Sequence, residues 1–408
     1  MAQIETLEDV KPDELEGRPV LVRVDFNVPL TEEGGVADDT RLRAALPTLE
    51  RLREAGARAI LVSHLGRPKG PDDPAASLEP VARRLEELLD GPVAFLTDPP
   101  GSPSLAEEVG ALPDGGVALL ENIRFHPGET ENDPELGRAL GELADLYVGD
   151  AFGTAHRAHA STVGAPEAIR ERGGRAVAGF LMARELHFLG QALRDPKRPF
   201  VAVMGGAKIS GKIDLIEAIL DRVDRLLVGG AMANTFLRAL GLETGASLVE
   251  EDRVEVAARI LEGAGDRILL PVDCVVAEEI SPTARTREVD RTQVRAGDRI
   301  GDIGSRTREI FAREIEGAGA VVWNGPMGVF EMAPFAPGTE HVAEALARAA
   351  ERGALVVAGG GDSAAAAEMF QVTSRLTHVS TGGGASLDLL SGNPLPGVEA
   401  LNRKEDAA

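Results

Sequence analysis

Two parts of the chain hold residues whose types and spacing could do phosphate chemistry. The first is MGGAKISGKI, residues 204–213. From Gly206 the spacing runs Gly, four residues, Gly211, Lys212, which is the phosphate-cradling P-loop pattern up to its last position. Ile213 stands there in place of Ser or Thr, whose hydroxyl in a P-loop ligates the magnesium of the nucleotide. The decapeptide leaves two readings open: an incomplete P-loop, or another phosphate site with a similar spelling. The second part is a scatter of polar and cationic groups. Asp25 and Asn27 lie in RVDFNVP, His64 and Arg67 in SHLGRP, Arg124 in ENIRF and Arg157 in AFGTAHRAHAS, with Arg41 at the start of a helical stretch. Singly, such an arginine is more often a surface or salt-bridge residue, and His64 could be a satisfied strand-end histidine. Together they describe an anion pocket, since the planar fork of arginine suits both phosphate and carboxylate.

The elements that must position these groups are legible as alternating patterns. Strand-like VLVRVDF (20–26) is followed by Leu42, Leu46, Leu49 and Leu52 at helical spacing, with Gly56 as a stop, and then by ARAILVSHLG. Leu78, Val81, Leu85 and Leu88 make another helical stripe, before VAFL, a helix near 104–111, VALLENIRF, a helix near 134–144, and LYVGDAF. The second half repeats the scheme with FVAVMGG, the stripe Ile213, Ile216, Leu220 and Val223, then RLLVGG, ILLPVDCVVA, AVVWNGPMG, ALVVAGGG and THVSTGGG. Such alternation predicts an α/β fold of parallel sheets covered by helices on both faces. FLMARELHFLGQAL (180–193) reads as a connecting helix between the halves, ended by DPKRP.

Ligands of doubly wound sheets bind beyond the carboxyl ends of the strands. There the two halves differ. The first presents the cations above. The second presents glycine clusters at 205–206, 229–230, 325 and 328, 359–361 and 382–384. Glycine admits close backbone approach, and a following helix start offers free N–H groups to phosphate. One such turn is weak evidence, because tight turns need glycine anyway, but five in one half point to a nucleotide.

Bulk properties exclude several classes. A chain of 408 residues suggests two domains, and 43% hydrophobic with 27% charged residues is ordinary for a globular protein. The N-terminal stretch has no apolar leader core and no run spans a bilayer, so a cytoplasmic protein is expected, with no membrane partner. The single cysteine, Cys274, excludes an internal disulfide framework and reads as a buried thiol. A net charge of −23 argues against nucleic acid as partner. Of the 43 cationic residues only six are lysine, a balance that suits a high-salt cytoplasm and would also follow from a GC-rich genome.

RVDFNVP, SHLGRPKG, ENIRFHPGE, GDAFGTAHRAHAS, GFLMARE, GGAK, WNGPMGVFE, GGGDS and STGGGAS, in this order from residue 23 to 386, resemble the phosphoglycerate kinase family over essentially the whole chain. The resemblance implies two Rossmann-like doubly wound parallel-sheet domains joined by a hinge helix. The first, 1–180, would bind phosphoglycerate and receive the tail 393–408; the connecting helix would be 181–196; the nucleotide domain would be 197–392. It further implies reversible phosphoryl transfer between 1,3-bisphosphoglycerate with ADP and 3-phosphoglycerate with MgATP, on domain closure, by a monomer. Asp25, Phe26, Asn27, Arg41, His64, Leu65, Gly66, Arg67, Arg124 and Arg157 would bind phosphoglycerate. Gly206, Ala207, Lys208, Lys212, Gly229, Gly230, Asn324, Pro326, Gly328, Glu331, Gly360, Gly361, Asp362 and Ser363 would handle the nucleotide. Asp362 would hold the Mg2+, Arg41, Lys208 and Lys212 would be catalytic, and Thr381, Gly382, Gly383 and Gly384 would form an anion loop. Two departures from the family pattern stand out: Gly211, where other members carry Asp or Thr, and DIGSRT (302–307), where Asp-Ile-Gly-Pro is usual.

Overall fold

The computed structural model describes residues 4–70, 73–194 and 196–402. The chain divides into two compact units, Met1–Leu186 with Pro394–Ala408, and His187–Asn393. The unit boundary falls within a single helix, Phe180–Arg194.

The first unit is built on β1 (Pro19–Val24), β2 (Arg58–Val62), β3 (Val93–Leu96), β4 (Val117–Leu120), β5 (Leu146–Asp150) and β6 (Arg175–Ala178). They form one sheet in the order β3-β4-β2-β1-β5-β6, with every pairing parallel. β4 and β5 are buried along their whole length, as near-continuous apolar runs require when both faces are covered. The helix Thr40–Glu54 buries Leu42, Leu49 and Leu52, and Glu79–Leu89 buries Val81, Leu85 and Leu89, so the helical stripes are core contacts. Strand β6, a short run after Gly173 and Gly174, adds to the elements expected from the sequence patterns.

The second unit has β7 (Phe200–Met204), β8 (Arg225–Val228), β9 (Ile268–Leu269), β10 (Asp273–Ala277), β11 (Arg287–Asp290), β12 (Arg299–Ile303), β13 (Ala320–Asn324), β14 (Leu355–Ala358) and β15 (His378–Val379). Its main sheet, β15-β14-β13-β7-β8-β9, is again wholly parallel and has its own core, around Trp323, Phe311 and Val342. One expectation needs correction. ILLPVDCVVA is not one strand of a parallel sheet: β9 stops before Pro271, and β10 joins an antiparallel sheet in the order β11-β10-β12. β9 is the edge of the parallel sheet, and the chain leaves that edge at Pro271, which has no N–H to donate.

Each parallel sheet reverses its strand order at one place. In the first unit this is the β1/β5 pair, with Val24 beside Asp150; in the second it is β7/β13, with Met204 beside Asn324. Connections leave these neighbours in opposite directions, opening a crevice at their carboxyl ends.

Candidate functional site

β1 ends at Val24, so Asp25, Phe26 and Asn27 belong to the loop beyond the strand rather than to the strand itself. This loop is pinned to its neighbour after β2. The Phe26 amide donates to Ser63 Oγ at 2.9 Å, and the Gly66 amide to Asn27 Oδ1 at 2.8 Å. Gly66 has φ +58 and open space where a Cβ would stand, a backbone form that glycine adopts at little cost. Its carbonyl accepts from Arg124 Nη1 at 2.7 Å. Asn122, fully buried, clamps the same turn, donating to Leu65 O and Ala76 O at 2.8 Å each and accepting from the amides of Leu65 and Arg124. Arg41 Nη1 donates to Asp25 Oδ2 at 2.6 Å.

These contacts gather positive charge. Burial pushes His64 well below the ordinary histidine range, and Arg23, Arg124, Arg41 and His159 add repulsion, so the ring is neutral near pH 7. Arg23 Nη2 lies 3.3 Å from His64 Nδ1. A guanidinium only donates, so Nδ1 accepts and the ring proton sits on Nε2, leaving one N–H to offer an anion. The same assignment leaves the buried Asp25 Oδ1 without a partner, 3.9 Å from Nδ1. Arg124 is itself lowered by burial and then by Arg157, Arg23 and Arg67, which brings the exposed Arg67 and Arg157 into the same field. Arg157 also donates to His156 Nε2 at 3.1 Å.

Arg23 is a residue that sequence patterns did not single out. It is 1% exposed on β1, and its Nε donates to Ser161 Oγ at 2.7 Å. Ser161 in turn donates from Oγ and N to Glu129, at 2.7 and 2.9 Å. Burial pushes Glu129 up, but His159, Arg23 and Ser161 outweigh it and hold the carboxyl below its usual range. An arginine inside an otherwise apolar strand was the available signal; its partner is 138 residues away.

In the second unit the lysine loop does not have P-loop geometry. A P-loop presents free amides to phosphate. Here Gly206 N donates to Pro326 O at 2.9 Å and Lys212 N to Ile209 O at 2.8 Å, while the amides of Ile209 and Ser210 donate to the Glu250 carboxylate. Lys212 Nζ donates to Gly205 O at 2.7 Å and Asn324 O at 3.1 Å, the two carbonyls beyond β7 and at the end of β13. Two of its three donors are thereby used and one remains. Burial lowers Lys212 to about 8, against the attraction of Asp362. Lys208 is exposed.

Several of the glycines serve packing between loops. A Cβ on Gly205 would collide with Pro326 O, and one on Gly229 with Met327 Sδ. Gly230, at φ +66, would meet Gly206 N at 2.5 Å. The Ser363 hydroxyl accepts from Gly325 N at 2.7 Å, and Asn324 Nδ2 donates to Gly359 O at 2.6 Å. By contrast Gly361 and Gly383 have open space at the Cβ position. Gly360, φ +98, precedes the helix Gly361–Met369, whose first turn carries the exposed Asp362. The Gly382 amide is held by Ser380 Oγ at 3.1 Å ahead of the short helix Gly384–Leu390 that follows Thr381 and Gly383.

These loops wall a cavity of about 390 Å³ lined by Gly206, Ala207, Gly230, Pro326, Gly328, Glu331 and Asp362, with an apolar side of Leu237, Leu248, Ile300 and Phe330. Leu248, half exposed, offers an apolar face for a flat ring. Asp302 also lines it; burial pushes its carboxyl up to about 7 although the amides of Gly338 and Ile303 donate to it at 2.6 and 2.8 Å. Cys274 reaches the same wall, and burial raises its thiol to about 12, in keeping with the buried structural thiol expected from its apolar sequence surroundings. Among the described residues no cluster of three metal-ligating side chains occurs, and no helix is long and apolar enough to cross a membrane.

A family model described as phosphoglycerate kinase matches residues 7–393. The chain is similar to phosphoglycerate kinase of Chlorobium luteolum, 52% identical over 403 residues covering 98% of this chain and 100% of that one. It is 54% identical over 397 residues to phosphoglycerate kinase of Rubrobacter xylanophilus, covering 97% and 98%. Among solved structures, phosphoglycerate kinase from Coxiella burnetii matches with a TM-score of 0.89 at 39% identity over 98% of this chain and 99% of that chain. The enzyme from Pyrococcus horikoshii OT3 matches with a TM-score of 0.83 at 35% identity, covering 98% of each chain.

Proposed function

Since this chain belongs to the phosphoglycerate kinase family, we propose that its guanidinium cluster holds the phosphoglycerate and its glycine-walled cavity holds the nucleotide. The reaction is reversible phosphoryl transfer between 1,3-bisphosphoglycerate with ADP and 3-phosphoglycerate with ATP. The observation that carries the division of labour is that the two strand-order reversals bear opposite chemistries. β1/β5 is crowned by cations that, with burial, depress Arg124 and His64, and β7/β13 by a half-apolar cavity ringed by glycine.

In this reading Arg41, Arg67, Arg124 and Arg157 bind the phosphate and carboxylate of the substrate. His64 offers its Nε2–H, and Asp25 and Asn27 hold Arg41 and the Gly66 turn in place. The attacking carboxylate is already ionised at neutral pH, so no general base is needed, only positioning and charge stabilisation. Arg41 and Lys208 act on the transferring phosphoryl; Lys212 adds its positive charge while tying the loops beyond β7 and β13. Asn324, Glu331 and the segment Gly360–Ser363 serve the nucleotide, and Thr381–Gly384 receives an anion. A Mg2+ brought with the nucleotide neutralises phosphate charge, and such an ion needs only one or two protein carboxylates beside phosphate and water. The exposed, cavity-lining Asp362 fits that demand. The ligand sets belong to different units, and transfer requires closure about the helix Phe180–Arg194, which also excludes water. We take the enzyme to be a cytoplasmic monomer.

A coupled assay with 3-phosphoglycerate and MgATP at several KCl concentrations tests the reading. ADP formation that depends on both substrates is expected, and its absence at every salt concentration would overturn it. Lys208→Ala should cut turnover on the order of a hundredfold, as loss of one preorganised charge-stabilising donor does, with a much smaller change in ADP affinity.

A further inference from the structure

We propose that Glu250 is a positioning residue that presents Lys208 for catalysis and ties its placement to the wall of the nucleotide cavity. This role rests on the catalytic part proposed for Lys208. The loop that carries Lys208 is anchored at both ends, through Gly205 and Gly206 to the turn at 324–326 and through Lys212 Nζ to Gly205 O and Asn324 O. Between these anchors, among the described residues, one side chain hydrogen-bonds the loop backbone, while the Ile209 side chain is itself fully buried. The Glu250 carboxylate accepts from Ile209 N at 2.5 Å, from Ser210 N at 3.1 Å and from the Ser210 hydroxyl. Burial pushes Glu250 up, but Ser210, the Ile209 amide and the Lys208 ammonium outweigh it and keep it ionised. The carboxylate therefore fixes the two residues after Lys208 and attracts the lysine itself.

Glu250 is placed by the helix Met232–Ala239. Its own amide donates to Thr235 Oγ1 at 3.2 Å, and two residues earlier Leu248 O accepts from Asn234 Nδ2 at 3.2 Å. Asn234 and Thr235 are both 1% exposed, and Asn234 and Leu248 line the cavity. The same helix begins by donating from Met232 N to Gly206 O at 3.0 Å. One helix thus holds the loop at its root and, through Glu250, at its tip. A four-carbon lysine stem gains catalytic precision only when its backbone is fixed, and misplacement by about 1 Å can cost on the order of a hundredfold in rate.

Glu250→Gln keeps the size of the side chain and can keep an oxygen on both amides with its NH2 donating to the Ser210 hydroxyl, so what it removes is the negative charge that strengthens those bonds and attracts Lys208. Turnover should fall by about tenfold or more, ADP affinity measured by calorimetry should stay within about twofold, and exchange of the Ile209 and Ser210 amides should quicken. Glu250→Asp should recover part of the rate. In the Lys208→Ala background Glu250→Gln should cost little further, because residues acting as a unit are not additive. Ser210→Ala, which removes only the hydroxyl bond, provides a milder variant and should lower turnover in the same sense. Normal turnover in Glu250→Gln and Ser210→Ala beside a crippled Lys208→Ala would overturn the role of Glu250 alone. Losses that add in the double variant would make Glu250 merely structural, and normal turnover in Lys208→Ala would instead overturn the reading of Lys208.

Discussion

Arg124 registers the field of the guanidinium cluster, because burial and three neighbouring guanidiniums all oppose its charge. A bound anion relieves that repulsion. Arg124→Ala should therefore weaken 3-phosphoglycerate binding by about tenfold to a hundredfold, the worth of a charged hydrogen bond, and leave ADP binding unchanged; calorimetry with each ligand checks both, and equal losses would contradict the assignment of the two pockets. Asp302 offers a second measurement. Its folded pKa of about 7 lies above the unfolded value of about 3.9. The fold therefore binds the extra proton, and stability is lost as pH rises between those values. Asp302→Asn should gain on the parent protein from pH 4.5 to 7.5 and then run parallel to it, by several degrees at roughly 2–4 °C per kcal/mol; melting curves across that range decide. The exposed cations were legible because an acidic chain with few lysines has little other reason to cluster them at strand ends. Arg23, Glu129 and Glu250 were not, since their meaning lies in partners 138, 32 and 40 residues distant.

Among elements, the loops after β7, β8 and β13 are the least independent. Gly205 N, Gly206 N and Gly230 N donate to Asn324 O, Pro326 O and Met327 O respectively, so three turns share one hydrogen-bonded knot. Gly230→Ala adds a Cβ at φ +66 and 2.5 Å from Gly206 N, and should destabilise the protein by about 1–3 kcal/mol in denaturant melts while lowering ADP affinity. Gly361→Ala meets open space, so stability should hold within about 0.5 kcal/mol and a drop in ADP affinity would report close approach of phosphate. Ile213→Thr completes the P-loop spelling but should gain no activity, because the amides such a loop needs are already taken by Pro326 and Glu250. Both parallel sheets were readable from apolar runs, except for β6 and for the stop of β9 before Pro271. The antiparallel sheet was not: β11 is REVD and β12 is RIGDI, polar and partly exposed, without the periodicity of a buried strand.

For the whole molecule, a charge of −23 predicts self-repulsion that salt screens. The melting temperature should rise markedly from low salt to molar KCl, and a flat or falling curve would remove the case for adaptation to high salt. The division into two units was readable from the residues placed just beyond the strands, cations before the connecting helix and glycines after it. The return of the chain end has a consequence for how the protein is made. Gly397 N donates to Ala155 O at 2.8 Å, Arg170 donates to Ala400 O, and Leu401 is 2% exposed within the first unit. A ribosome emits these residues only after the whole of the second unit. The half that is synthesised first is thus the half that is completed last, and it must wait, partly open, while the whole of the other half emerges and folds. A chain truncated after Asn393 should resist protease in its second unit and remain cleavable in its first.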